Sequence, residues 1–181
     1  MRQYACYLEW FSLTSPNQDA GAFHHLFEAQ AAPDLEELMA DLDVARSKDD
    51  AQLCGKHLHL AAQHGQVLVA HALLLGGASP DGVTTKHNRV ATPLSIAIAH
   101  QHGHELVGLL LDRGANPNLS NTNLVNSVHV AAMQPDVWRL RVLLDTGRAA
   151  LDPRDINRWT PLMFAAWNGR LEALQLLVAR G

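Results

Sequence analysis

The chain has 181 residues, is 48% hydrophobic, and carries 14 Lys and Arg against 18 Asp and Glu for a net charge of -4. This is about one domain of ordinary globular composition, with no basic surplus for a nucleic-acid stripe or an anionic membrane surface. Cys6 and Cys54 lie far apart without metal-ligand spacing, no apolar run reaches bilayer length, and Glu9 breaks the apolar stretch behind Arg2, so two free thiols in the cytoplasm or nucleus are expected.

In chain order, residues 1–21 form an N-terminal segment in which Tyr7, Leu8, Trp10, Phe11 and Leu13 are apolar enough to pack on something and Ser15-Pro16-Asn17 makes a break. Two short helices are expected at 22–31 and 33–42. The second has Pro33 near its start and acids in its first turn, where the helix dipole favours them. Glu36, Glu37, Asp41 and Asp43 suit a wet face, since a helix lacks the alternating loop ligands a Ca2+ site needs. A polar connector is expected at 47–55.

From there one unit repeats: helix, tight turn, helix, Gly. Its starts at Lys56, Thr92, Asn126 and Thr160 are separated by 36, 34 and 34 residues. The clearest copy is Thr160-Pro161-Leu162-Met163-Phe164-Ala165-Ala166-Trp167-Asn168-Gly169. Here Thr160 can cap the helix, Pro161 suits its first position, and Gly169 can end it in the left-handed conformation. Similar runs begin at Lys56-His57-Leu58-His59, Thr92-Pro93-Leu94-Ser95 and Asn126-Ser127-Val128-His129. Leu58, Leu94, Val128 and Leu162 should point inward. Ala61-Ala62, Ala131-Ala132 and Ala165-Ala166 should let helices approach closely. Leu73-Leu74, Leu109-Leu110, Leu143-Leu144 and Leu176-Leu177 should supply bulk.

At these residues the chain resembles the ankyrin repeat family, whose mark is Thr-Pro-Leu-His-x-Ala at a period of about 33 residues. The resemblance implies an all-α solenoid of stacked helix-turn-helix units with hairpin-like connecting loops. It divides the chain into the segment 1–21, a degenerate N-capping repeat and connector 22–54, and repeats 55–90, 91–124, 125–157 and 158–181, the last incomplete at the C-terminus. Each repeat should draw its stability from its neighbours. Thr92 to Gly103 is longer than its counterparts, so its first helix is expected to extend by about half a turn. Pro135 replaces a turn glycine and cannot take a positive φ. His59 and His129 occupy the position of the family's structural His, whereas Ser95 and Met163 do not, so less rigid links are expected there. Leu171, Leu174, Leu177 and Val178 would show an uncovered face, as in a piece of a longer array, a truncated product, or a chain whose end a partner covers; self-association through this end is an expectation.

No nucleophile elbow, phosphate-cradling loop or Cys-x-x-Cys occurs, so no catalytic residue, cofactor or metal is expected. The His100-Gln101-His102-Gly103-His104 run crosses a helix end and does not align its imidazoles for a metal. The resemblance instead implies binding of a protein partner, of unknown identity, with no nucleic acid and no membrane insertion. The candidate groove residues are Gln63, His64, His100, Gln101, Met133, Gln134, Trp167 and Asn168. The candidate loop-tip residues are Lys86, His87, Asn88, Arg89, Asn121, Asn123, Arg154, Arg158 and Trp159. Trp167 and Trp159 carry most weight, since aromatics supply large rigid contact area. The alternative is a recruiting arm of a larger enzyme, channel or signalling protein.

Overall fold

The computed structural model describes residues 51–82, 91–100 and 104–181. The segment 1–21, the expected cap up to residue 50, Lys86, His87, Asn88, Arg89 and residues 101–103 with Gln101 lie outside the described residues.

The described residues form eight helices: α1 Ala51–His64, α2 Val67–Leu75, α3 Pro93–Ala99, α4 His104–Asp112, α5 Ser127–Met133, α6 Trp138–Asp145, α7 Pro161–Trp167 and α8 Leu171–Arg180. They pair as α1 with α2, α3 with α4, α5 with α6 and α7 with α8, and the first helices stack α1 on α3 on α5 on α7. The helix starts follow from the sequence. The Thr92 hydroxyl accepts from the Ser95 amide at 3.2 Å and the Thr160 hydroxyl from the Met163 amide at 3.4 Å, each with proline at the next position. Asn126 caps α5 by accepting from the Val128 and His129 amides. Gly169 ends α7 at a φ of 66°, a conformation that glycine adopts without steric cost.

Several expectations are corrected. α1 already includes Ala51, so 51–55 is helix rather than connector. No Thr-Pro pair halts the helix at that point, and Gly55 sits buried inside it. α3 is not extended: it has 7 residues, as α5 and α7 do, and the extra length falls after it. The leucine register is also shifted by one in two repeats. The equivalent buried pairs are Leu73-Leu74, Leu110-Leu111 and Leu143-Leu144, with Leu109 and Leu176 partly exposed. At Pro135 the turn does differ, with Gln134 extended at ψ 153° and no left-handed residue.

Leu58, Leu94 and Val128 are fully buried, as are Ala61, Ala62, Ala97, Ala131 and Ala132. Burying each large apolar side chain contributes about 1.5–3 kcal/mol. Leu162, expected inward, is 39% exposed, and Ala166 is also exposed. They sit on the side of α7 that no further described helix covers, which is also where Leu171 and Val178 of α8 stand exposed. Leu177 is buried and Leu174 partly so, because they face back towards the stack.

Polar ties join each repeat to the next, and they differ from link to link. The His59 ring nitrogens lie 2.7 Å from the Gly55 carbonyl oxygen and 2.9 Å from that of Ala91 in the next repeat. Gly82, with φ at 70°, lies against this ring: a Cβ there would be 2.1 Å from His59 Cε1. His129 accepts the Asn126 amide at Nδ1 and reaches the Trp159 carbonyl oxygen at 3.2 Å through Nε2. Ser95 has no such reach; its hydroxyl donates to the Thr92 carbonyl of its own helix start at 2.9 Å. The link from the second to the third repeat is tied at its other side. The Asn118 side chain bonds the Arg148 carbonyl and the Ala150 amide, and Arg148 donates to the Leu111 carbonyl.

Two outcomes follow from this packing. Ala131→Arg places a charge where no surface is exposed, and should lower stability by about 3 kcal/mol or more, read as a drop of several degrees in the circular-dichroism melt. Burial holds the imidazoles of His59 and His129 below the ordinary value of 6.5, against the opposing effect of their carbonyl bonds. The unfolded chain therefore takes up protons first as pH falls. The contribution of these neutral rings is complete above pH 6.5 and shrinks as pH drops through their folded values. The melting temperature should be lower at about pH 5.5 than at about pH 7.5, and His129→Gln should flatten that dependence.

Candidate protein-binding surface

Stacking the first helices brings their C-terminal ends to one edge. Gln63 and His64 end α1, His100 follows α3, Met133 and Gln134 close α5, and Trp167 and Asn168 close α7. His64, His100 and Trp167 are exposed there, and Gln63, Met133, Gln134 and Asn168 are half-buried. Two of the amides turn back on their own helices: Gln134 Nε2 donates to the Val130 carbonyl at 3.2 Å and Asn168 Nδ2 to that of Phe164 at 2.7 Å. Arg170, which the sequence reading passed over, donates from Nε to the Met133 carbonyl at 2.9 Å and so ties the third repeat to the fourth at this edge.

Trp167 is 63% exposed. Its ring meets that of Trp159 edge-on at a centroid separation of 5.6 Å, and Trp159 meets the buried Phe164 at 5.5 Å. Edge-to-face contacts at this spacing suit the ring quadrupoles and hold both indoles in place. Trp159 is thus only half-exposed, joining its loop to the helix edge. Trp138 packs instead on His104 of the preceding repeat, with ring centroids 3.7 Å apart, beneath the Arg139 guanidinium.

Two connecting loops are described in full and share one construction. Asn121 is buried; its Oδ1 accepts from the Asn123 and Val125 amides, and its own amide donates to the Val125 carbonyl. Asp155 does the same one repeat later, accepting from the Asn157 and Trp159 amides. Asn121 is therefore corrected from a tip residue to the staple of its own turn. Asn123 is half-buried and its carbonyl accepts the Ile156 amide at 2.9 Å, which ties the two loops side by side. Arg154 and Arg158 are exposed as expected. Leu124 and Ile156, which the sequence reading missed, are 41% and 60% exposed at the same tips. Ile156 was detectable as the lone apolar residue in Asp152-Pro153-Arg154-Asp155-Ile156-Asn157-Arg158.

Among the described residues no group of three His, Cys, Asp or Glu side chains is placed to hold a metal ion, and no helix is long and apolar enough to cross a membrane. A family model for three ankyrin repeat copies matches residues 94–181, and a model for a single ankyrin repeat matches 58–85.

The chain belongs to the ankyrin repeat family.

Within it, the chain is 35% identical over 126 residues to an ankyrin repeat protein of Fowlpox virus (strain NVSL), covering 68% of this chain and 27% of that one. It is 28% identical over 107 residues to an ankyrin repeat protein of Rickettsia bellii (strain RML369-C), covering 56% and 28%. It is 31% identical over 124 residues to the human transient receptor potential cation channel subfamily A member 1, covering 68% and 11%. The chain thus spans less than a third of the length of each of these relatives. Ankyrin repeats are protein-binding modules and are typically non-catalytic.

The staple role of Asn121 gives a direct test. Asn121→Ala leaves two loop amides without their acceptor and should cost about 1–3 kcal/mol in thermal unfolding, whereas Asn123→Ala should change it by less than about 0.5 kcal/mol.

Proposed function

We propose that this ankyrin array is a non-enzymatic adaptor that engages one protein partner along the edge formed by Gln63, His64, His100, Met133, Gln134, Trp167 and Asn168, together with its loop tips. Its working units are repeats 55–90, 91–124, 125–157 and 158–181. The observation that carries the reading is the exposed Trp167 ring, pinned edge-on by Trp159 and so ordered before any partner arrives. A large aromatic held in one orientation loses little freedom on binding, which is how contact hot spots gain affinity.

A second reading is favoured by the similarity to the human cation channel. On that reading the array is the recruiting arm of a longer protein whose activity lies elsewhere. Sequencing the reading frame beyond Gly181 separates the two.

The adaptor reading is tested by affinity capture with the intact chain against Trp167→Ala and Trp159→Ala. Trp167→Ala should weaken capture of the partner by about tenfold or more while the melting temperature holds, since the ring is mostly outside the core. Trp159→Ala should weaken both, because its ring also covers Phe164. Capture of every bound protein at the parent level by Trp167→Ala would sink the reading.

A further inference from the structure

We propose that the two adjacent loop tips at Leu124 and 154–158 dock an acidic, extended segment of a partner protein. In this arrangement Arg154 and Arg158 receive its carboxylates, and Leu124 and Ile156 receive a bulky apolar side chain. The proposal rests on the protein-binding reading above and names the chemistry of the partner.

Three observations converge. The first is backbone conformation. Leu124 and Arg158 have φ of 60° and 65°, and they are the only non-glycine residues in the left-handed region among the described residues. They hold the same place in successive repeats, two residues before the helix caps Asn126 and Thr160. A side chain there is disfavoured roughly fivefold or more relative to glycine. The turns do not require these side chains, since Asn121 and Asp155 do the stapling. Both are exposed, so neither fills a core.

The second is apolar exposure. Leu124 and Ile156 stand out on neighbouring tips that the Ile156 amide to Asn123 carbonyl bond holds together. The third is charge. Arg154 and Arg158 are exposed and neither has an ion-pair partner among the described residues. Asp155, between them, is buried with its Oδ1 occupied by loop amides, which leaves Asp152 as the exposed acid of this stretch. Exposed guanidiniums beside an apolar pair complement carboxylates flanking an apolar residue, and an extended segment can present both across two tips.

The test pans a displayed library of random peptides on the intact chain, then titrates the selected peptides by fluorescence anisotropy against Arg158→Gly, Leu124→Gly and Arg154→Gln. The selected peptides should be enriched in Asp and Glu around a large apolar residue, and added salt should weaken them. Arg158→Gly should lose about fivefold or more in affinity while melting no lower than the parent, because glycine relieves the left-handed backbone. Loss of fold therefore cannot explain that loss of binding. Leu124→Gly should behave in the same way and Arg154→Gln should weaken binding at unchanged stability. Selected peptides without acidic bias, or acidic peptides that bind Arg158→Gly as tightly as the parent, would overturn this inference and leave the adaptor reading standing. Failure to enrich any peptide would overturn this inference, while the adaptor reading stands or falls on the capture by Trp167→Ala.

Discussion

Helices of seven residues do not persist in water, because the cost of nucleating the first turn is recovered only over a dozen or so residues. α3, α5 and α7 each have 7 residues. What keeps them helical is the close contact of one first helix with the next, across surfaces made of Ala61-Ala62, Ala97 and Ala131-Ala132. The small side chains bring the backbones together, and the leucines of the second helices close the layer from behind. Cohesion therefore lies between repeats rather than within any of them.

The polar ties are laid over this packing unevenly. The first and third links each use a histidine to reach the following repeat, at Ala91 and Trp159 respectively. The second link has serine at that position, and its cross-repeat bonds pass through Asn118 and Arg148 on the loop after the second helix. The third is reinforced further by Arg170 on Met133 and by an ion pair between Arg180 and Asp145. The described surface with the most exposed aromatic and basic side chains sits on this most heavily tied part of the array. A rigid base suits side chains that must be in place before they meet a partner.

The fold was legible because its signals are local and repeated. Thr92-Pro93 and Thr160-Pro161 mark helix starts by chemistry that operates within three residues, and four copies in phase leave little room for another period. Errors arose where the outcome depends on packing. Leu109 and Leu176 look like their neighbours in a run of leucines, and only the turn glycines at 77, 114 and 147 set the register that buries Leu110 and Leu143. Residues 51–55 belong to α1 because no proline or Thr-Pro pair among them interrupts the helix. Of the candidate surface, Trp167 and the arginines could be read from residue type. Asn121 could not, since an asparagine in a loop looks the same whether it faces a partner or accepts its own turn's amides.

His129 serves two partners at once, closing the start of α5 through one ring nitrogen and gripping the fourth repeat through the other. The local and the distant contact are thus made by one rigid ring and must be lost together. Fraying that begins in the fourth repeat would be passed directly to the first turn of the third, whereas Ser95, tied only to its own helix, would not relay it to the second. The array should come apart in unequal steps, with the fourth repeat and the first turn of the third going together.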